Sequence, residues 1–212
     1  MSNLNLLKMK KRFLFILLIL LFLVQQAKAQ SVSTTVVKVG PKLGMNLSSF
    51  NEKQSFENIS TKVGVNVGAV INIRGGQRYL TSAFGTGYFG LQPEIIFSMK
   101  GAVVDSENVN LSYFTIPIML KFYATENFNL EVGPEFAFMI SIPNTISNES
   151  FTYDLTELRG GKDISLAVGF GFDFDFGLSL NARYNMGFSK LAYNLPWKNS
   201  VIQISLGWLL TL

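Results

Sequence analysis

Asp173 and Asp175 stand two residues apart, and Glu131 and Glu135 four apart, in stretches that alternate between bulky apolar and small or polar residues. Two residues of extended chain span roughly 7 Å, at a rise of about 3.3 Å each. The two aspartates would therefore share a face and are a candidate pair for a hard cation with oxygen ligands. Glu131 and Glu135 lie farther apart and read as ion-pair partners for Arg or Lys. The chain has no histidine and no cysteine. That removes Ser–His and Asp–His machinery of the kind used by barrel proteases, lipases and acyl-modifying enzymes. A Ser–Lys dyad is compatible with the composition, but no spacing recommends one. Gly169 and Gly171 mimic part of a phosphate loop, yet they sit inside a strand and open no helix. No catalytic residue, metal or cofactor is expected, and the chain reads as a non-enzyme.

The elements that position these residues all have period two. From Ile164 to Phe176 the even positions are Ile, Leu, Val and four Phe, against Ser, Ala, Gly and Asp between them. From Leu178 to Phe188 the same alternation returns, and Asp175-Phe176-Gly177 leaves room only for a tight hairpin. Six further segments alternate likewise: Val36 to Ser48, Lys62 to Arg74, Tyr88 to Lys100, Ser112 to Tyr123, Phe128 to Ile142 and Val201 to Leu212. Each is long enough to cross a hydrocarbon layer as a tilted strand of about 9–11 residues. About eight strands, an even number, predict an all-β fold: a closed, antiparallel, up-and-down transmembrane β-barrel. The joins Ala124–Asn127 and Gly177 are short, whereas Ser49–Thr61, Pro143–Lys162 and Ser189–Ser200 are long and polar. Short turns at one end and long loops at the other is the asymmetry of outer-membrane barrels. The Gly75–Gly87 join breaks it, being long where a short turn is expected.

A water-soluble barrel would hide its apolar face and carry a Lys/Glu-rich exterior. Here the polar face is mainly Gly, Ala, Ser and Asp in the Ile164–Phe176 strand, which suits a narrow interior. The apolar face is rich in rings near strand ends: Phe89, Phe122, Phe128, Phe174, Phe176 and Trp208 at one rim, with Phe97, Phe114, Phe136, Phe138 and Phe188 toward the other. Two aromatic girdles mark a barrel facing lipid. The inward positions then include Lys38, Lys42, Arg74, Lys100, Lys121 and Arg183 against Glu94, Glu131, Glu135, Asp173 and Asp175. An eight-stranded barrel is only wide enough for its side chains to fill, and buried charges must pair. A salt-bridged plug is expected.

The N-terminus carries Lys8, Lys10, Lys11 and Arg12, a 12-residue apolar run from Phe13 to Val24, and Ala27-Lys28-Ala29 before Gln30. A basic patch, a short apolar run and small residues at the −3 and −1 positions make a cleavable signal peptide over 1–29, with the barrel domain at 30–212. Five of the 18 basic residues (Lys8, Lys10, Lys11, Arg12 and Lys28) leave with it and none of the 14 acidic ones does. The mature barrel is then close to neutral and offers no field for nucleic acid. Without cysteine, an exported fold must be held by closure rather than by disulfides.

Val39 to Asn46 (VGPKLGMN), Leu91 to Gly101 (LQPEIIFSMKG) and Tyr113 to Phe122 (YFTIPIMLKF) resemble successive strands of the PorT-type outer-membrane barrel family. So do Asn127 to Gly133 (NFNLEVG), followed by Pro134-Glu135, and Phe176 to Gly187 (FGLSLNARYNMG). The resemblance runs in order along nearly the whole chain after residue 30. It departs at Leu212, where many outer-membrane barrels carry an aromatic residue; Trp208 stands four residues earlier on the same face. It implies location in the outer membrane of a Gram-negative cell, lipid as the first partner, and a scaffold or accessory role in protein secretion alongside other envelope or secretion proteins. Phe151, Tyr153 and Arg159 in one long loop, and Tyr193 and Trp197 in another, are the candidate partner contacts. The alternative is a small solute-binding or channel-forming barrel, against which the charge-filled interior argues.

Overall fold

The computed structural model describes residues 35–50, 59–75, 89–104, 107–141, 145–148, 151–154, 161–189 and 198–212. The expected signal peptide and the Gly75–Gly87 join, apart from Gly75 itself, lie outside them. The strands are β1 (Val36–Phe50), β2 (Ile59–Gly75), β3 (Phe89–Val104), β4 (Glu107–Tyr123), β5 (Phe128–Ser141), β6 (Thr145–Asn148), β7 (Phe151–Asp154), β8 (Lys162–Asp173), β9 (Leu178–Gly187), β10 (Asn199–Trp208) and β11 (Leu210–Thr211). β6 and β7 pair only with each other. The rest form one antiparallel sheet in the order β10-β9-β8-β5-β4-β3-β2-β1, and β1 pairs back onto β10 from Lys42↔Gly207 to Phe50↔Asn199. β11 continues that ladder through Lys38↔Thr211 and Val39↔Leu210, so β10 and β11 are one strand of an eight-stranded closed barrel. Leu209, between them, donates its N–H to the Gly177 carbonyl at 2.7 Å. Closure leaves no backbone edge unpaired, which is what lets strands lie in hydrocarbon.

The faces are the reverse of a soluble protein's. Leu43 is 59 % exposed, while Lys42 beside it is 1 % exposed and Lys121 is wholly enclosed. The outward apolar set runs around the barrel without interruption, from Val63, Val65 and Val67 on β2 to Ile202, Ile204 and Leu206 on β10. So large an exposed apolar belt has to be covered, and lipid covers it. At the end with short turns the rings touch: Phe89 meets Phe122 at 5.5 Å, and Phe172, Phe174, Phe176 and Trp208 follow one another at 4.8, 5.2 and 6.0 Å between centroids. Toward the loop end Phe97 pairs with Phe114, and Phe114 with Phe138, in one row across three strands.

Several strands reach beyond the expected boundaries, β3 and β4 the furthest. β3 continues past Lys100 to Val104, and β4 begins at Glu107 rather than at Ser112. The alternation continues there with its sense reversed: Val109 and Leu111 are buried inside, while Asn108 and Asn110 face out. Polar residues outside and apolar ones inside is the pattern of a wall in water, so β3 and β4 emerge from the membrane at about this level. Gly101 sits where β3 leaves, with φ of +143° and its Cα so close to the Val109 carbonyl that a Cβ would fall 1.9 Å from it.

The β8–β9 hairpin turns at Asp175-Phe176-Gly177 as expected, but the strand ends before the alternation does. β8 ends at Asp173, Phe174 and Leu178 close the turn through a 2.7 Å hydrogen bond, and Gly177 takes the positive φ (+103°) that a three-residue hairpin loop needs. Asp175 is therefore an exposed turn residue, not a lumen residue. The alternation carries on through Phe174 and Phe176 because both rings serve the girdle, not because the strand continues.

Candidate functional site in the barrel lumen

Inward side chains from opposite walls meet at the axis. Arg183 on β9 faces Glu94 on β3 and Glu131 on β5, three elements spread around the circumference. Its guanidinium donates Nη1 and Nη2 to Glu94 at 2.9 and 2.6 Å, and Nε and Nη2 to Glu131 at 2.6 and 3.1 Å. A planar fork with five donors is the group that can hold two carboxylates at once. Lys42 on β1 gives Glu94 two more bonds, at 3.1 and 3.0 Å, and the Gln92 amide gives it another at 2.6 Å. Each carboxylate is thereby matched by cations and donors, the condition for an ion to stay buried.

Toward the turn end, Lys121 lies 3.3 Å from Asp173 and 4.0 Å from Glu131. Asp173 also accepts from Ser179 Oγ at 2.6 Å, the Tyr123 hydroxyl at 2.9 Å and the Asn129 amide at 3.3 Å. With Asp175 turned away and Asp173 saturated, the candidate aspartate pair does not form. Arg74 stacks its guanidinium 3.8 Å from the Tyr123 ring centre and bonds the Glu126 carbonyl at the rim. Lys38 is half-buried beside the β1–β11 ladder.

Toward the loop end a second crossing layer joins Lys100 on β3 to Glu135 on β5 at 2.5 Å, with Asn185 on β9 donating to the same carboxylate at 3.0 Å. Between the layers runs an amide ladder, Asn66 to Asn46 at 2.9 Å and Asn46 to Ser98 at 2.9 Å. Toward the same end the inward side chains of Phe50, Val109, Leu111, Tyr113, Met139 and Val201 are buried as well. The sequence pattern did not reveal these apolar positions, because inward positions were read as uniformly polar. It also missed Asp163, buried at the start of β8, since the alternation was read from Ile164.

Lys42, Lys100, Lys121, Arg183, Glu94, Glu131, Glu135 and Asp173 are thus brought together, while Lys38 and Arg74 stay at the margins and Asp175 lies outside. Of the loop candidates, Phe151 and Tyr153 belong to β7, paired with Asn148 and Ile146 of β6. Arg159, Tyr193 and Trp197 lie outside the described residues.

A closed barrel that presents apolar side chains to its surroundings and encloses its ion pairs is an integral β-barrel of the bacterial outer membrane. The chain belongs to the outer membrane protein beta-barrel domain family, which it matches over residues 26–193. Among curated proteins none matches the sequence. Among solved structures it is similar to Ail, the attachment invasion locus protein of Yersinia pestis, at 14 % identity and a TM-score of 0.47 over 82 % of this chain and 98 % of that one. The same Ail protein in complex with the heparin analogue sucrose octasulfate gives 13 % identity and a TM-score of 0.46, over 82 % and 99 % of the two chains. A de novo designed transmembrane β-barrel gives 11 % and 0.36, over 85 % and 98 %.

Proposed function

We propose that this protein is a non-enzymatic scaffold or accessory of the outer membrane, acting in protein secretion through its loops while its lumen stays shut. The observation that carries this reading is the filled interior: two ion-paired layers crossing the barrel, with Phe50, Val109, Leu111, Tyr113, Met139 and Val201 buried toward the loop end. An eight-stranded barrel crossed by paired side chains leaves little room for a solute, and a group acting on other molecules then has to stand outside the barrel. The resemblance to PorT-type barrels supports secretion as the process. The loops holding Phe151, Tyr153 and Arg159, and Tyr193 and Trp197, supply aromatic and basic anchors of the kind that dominate protein contacts. In this reading the chain is exported by a signal peptide over 1–29, and the mature protein is 30–212.

Crosslinking intact cells and isolating the barrel from the outer membrane tests the role. Recovery of export components, lost on replacing Tyr193 and Trp197 by Ala, is the expected result. Recovery of the barrel alone under efficient crosslinking overturns it. Purified protein in a planar bilayer is expected to show no steady conductance; a steady conductance would instead favour the channel-forming alternative.

A further inference from the structure

Among the described residues, four fully buried lumen cations, Lys42, Lys100, Lys121 and Arg183, face five buried carboxylates, Glu94, Glu131, Glu135, Asp163 and Asp173. Every one of the four cations is bound to Glu94, Glu131, Glu135 or Asp173. Asp163 is left over. Its one side-chain hydrogen-bond partner is the Asn199 amide, which donates Nδ2 to Oδ2 at 2.7 Å, and its side-chain Oδ1 is buried without a hydrogen bond. A carboxylate enclosed without an ion pair of its own is a costly arrangement in a protein interior.

Two more bare acceptors stand on the neighbouring strands. Asn199 Oδ1 and Asn185 Oδ1 are both buried without a hydrogen bond, and both belong to amides whose NH2 is already committed. Asn199 gives its NH2 to Asp163 and, at 3.2 Å, to the Tyr113 hydroxyl; Asn185 gives its own to Glu135 at 3.0 Å. The wall around them is built small. Ala137 pairs with Asp163, Ser165 pairs with Gly187, and a Cβ on Gly187 would lie 2.7 Å from the Asn199 carbonyl. A second unsatisfied spot in the lumen differs in kind. There a bare donor, Asn181 Nδ2, and a bare acceptor, Asn129 Oδ1, both flank Gly171, so donor and acceptor are matched and no excess of acceptors remains.

Oxygen acceptors lacking donors, beside one excess negative charge, call for a cation. We propose that Asp163, with the amide oxygen of Asn199, holds one hard monovalent cation at the loop end of the lumen. All-oxygen ligands select a hard ion, and a single positive charge brings the buried lumen charges to balance where a divalent ion would overshoot. The ion would tie β8 and β10 together. This inference is independent of the proposed role in secretion.

The test is thermal unfolding of the whole barrel in detergent micelles, with sodium chloride exchanged for N-methylglucamine chloride at constant ionic strength. The midpoint should rise with sodium and saturate, gaining roughly 5 °C at a hundredfold excess over the half-saturating concentration. Asp163→Asn should fold and lose the sodium dependence. Asn199→Ala, which keeps the carboxylate, should need about tenfold more sodium, the loss of one ligand being worth on the order of one decade in affinity; it reads the site even where Asp163→Asn fails to fold. Superimposable curves in the two salts overturn the proposal. So does a shift given by calcium and not by sodium. A midpoint that ignores sodium but varies with pH only while Asp163 is present also overturns it, by assigning a proton to that oxygen.

Discussion

Arg183 carries the most consequential single interaction in the lumen, because it separates two carboxylates that would otherwise face each other. Removing one partner of a buried ion pair leaves the other charge uncompensated, at a cost of about 3–5 kcal/mol. Arg183→Met leaves Glu94 with Lys42 alone and Glu131 with only Lys121 at 4.0 Å, one buried negative charge in excess, so it is expected to destabilise the barrel by about that much, read as a lower urea midpoint for unfolding in micelles. Adding Glu131→Gln to the same protein should restore most of the loss, since Lys42 keeps Glu94 and Lys121 keeps Asp173, and the cost lies in the uncompensated charge and not in missing volume. Arg183→Lys should fall between, as an ammonium cannot bond both carboxylates through two parallel pairs. These residues were legible in the sequence because each sits at an inward parity position of an alternating strand. Asp163 was not, because the residues before Ile164 read as loop, and Asp175 was misplaced because two girdle rings kept the period going through a turn. Which cation meets which carboxylate was not legible either: Arg183 and Glu94 are 89 residues apart and meet only because closure sets β9 across from β3.

At the scale of the element, the β8–β9 hairpin shows how closely a turn is tied to the wall beside it. Gly177 combines a φ of +103° with a position where a Cβ would stand 2.7 Å from the Leu209 carbonyl, the same residue whose N–H bonds back to it. A β-branched residue meets both penalties, and non-glycine backbone strain of this kind costs of order 1–3 kcal/mol. Gly177→Val is therefore expected to lower stability by that amount and to loosen the Phe176–Trp208 contact, seen as a red shift of tryptophan emission. Unchanged stability and emission would show that the turn relaxes freely. The strands themselves were readable since their two faces meet lipid and a packed interior, environments that demand different residues. Their ends at the β3–β4 hairpin were not, because outside the bilayer the demand reverses, and the reversed alternation of Asn108 to Leu111 reads as a loss of pattern when only one polarity is sought.

For the whole molecule, that reversal locates the membrane. On β4 the outward apolar residues run from Phe114 to Phe122, eight steps or about 26 Å along the strand, and about 20 Å along the axis at a tilt near 40°, close to the apolar band of outer-membrane barrels. Asn110, outward and two pleat repeats beyond Phe114, should then stand in water, while Leu120 lies in hydrocarbon and Thr125 beyond the opposite rim. The chain has no cysteine, so single substitutions report cleanly. In intact cells Asn110→Cys should react with a membrane-impermeant maleimide. Leu120→Cys should react only after denaturation, and Thr125→Cys only once the outer membrane is opened, since short turns face the periplasm. Labelling of Thr125→Cys in place of Asn110→Cys would turn the barrel over in the membrane. Equal labelling at Asn110 and Leu120 would remove the lipid belt itself, because no other environment on this barrel shields an outward leucine while wetting an outward asparagine on the same strand.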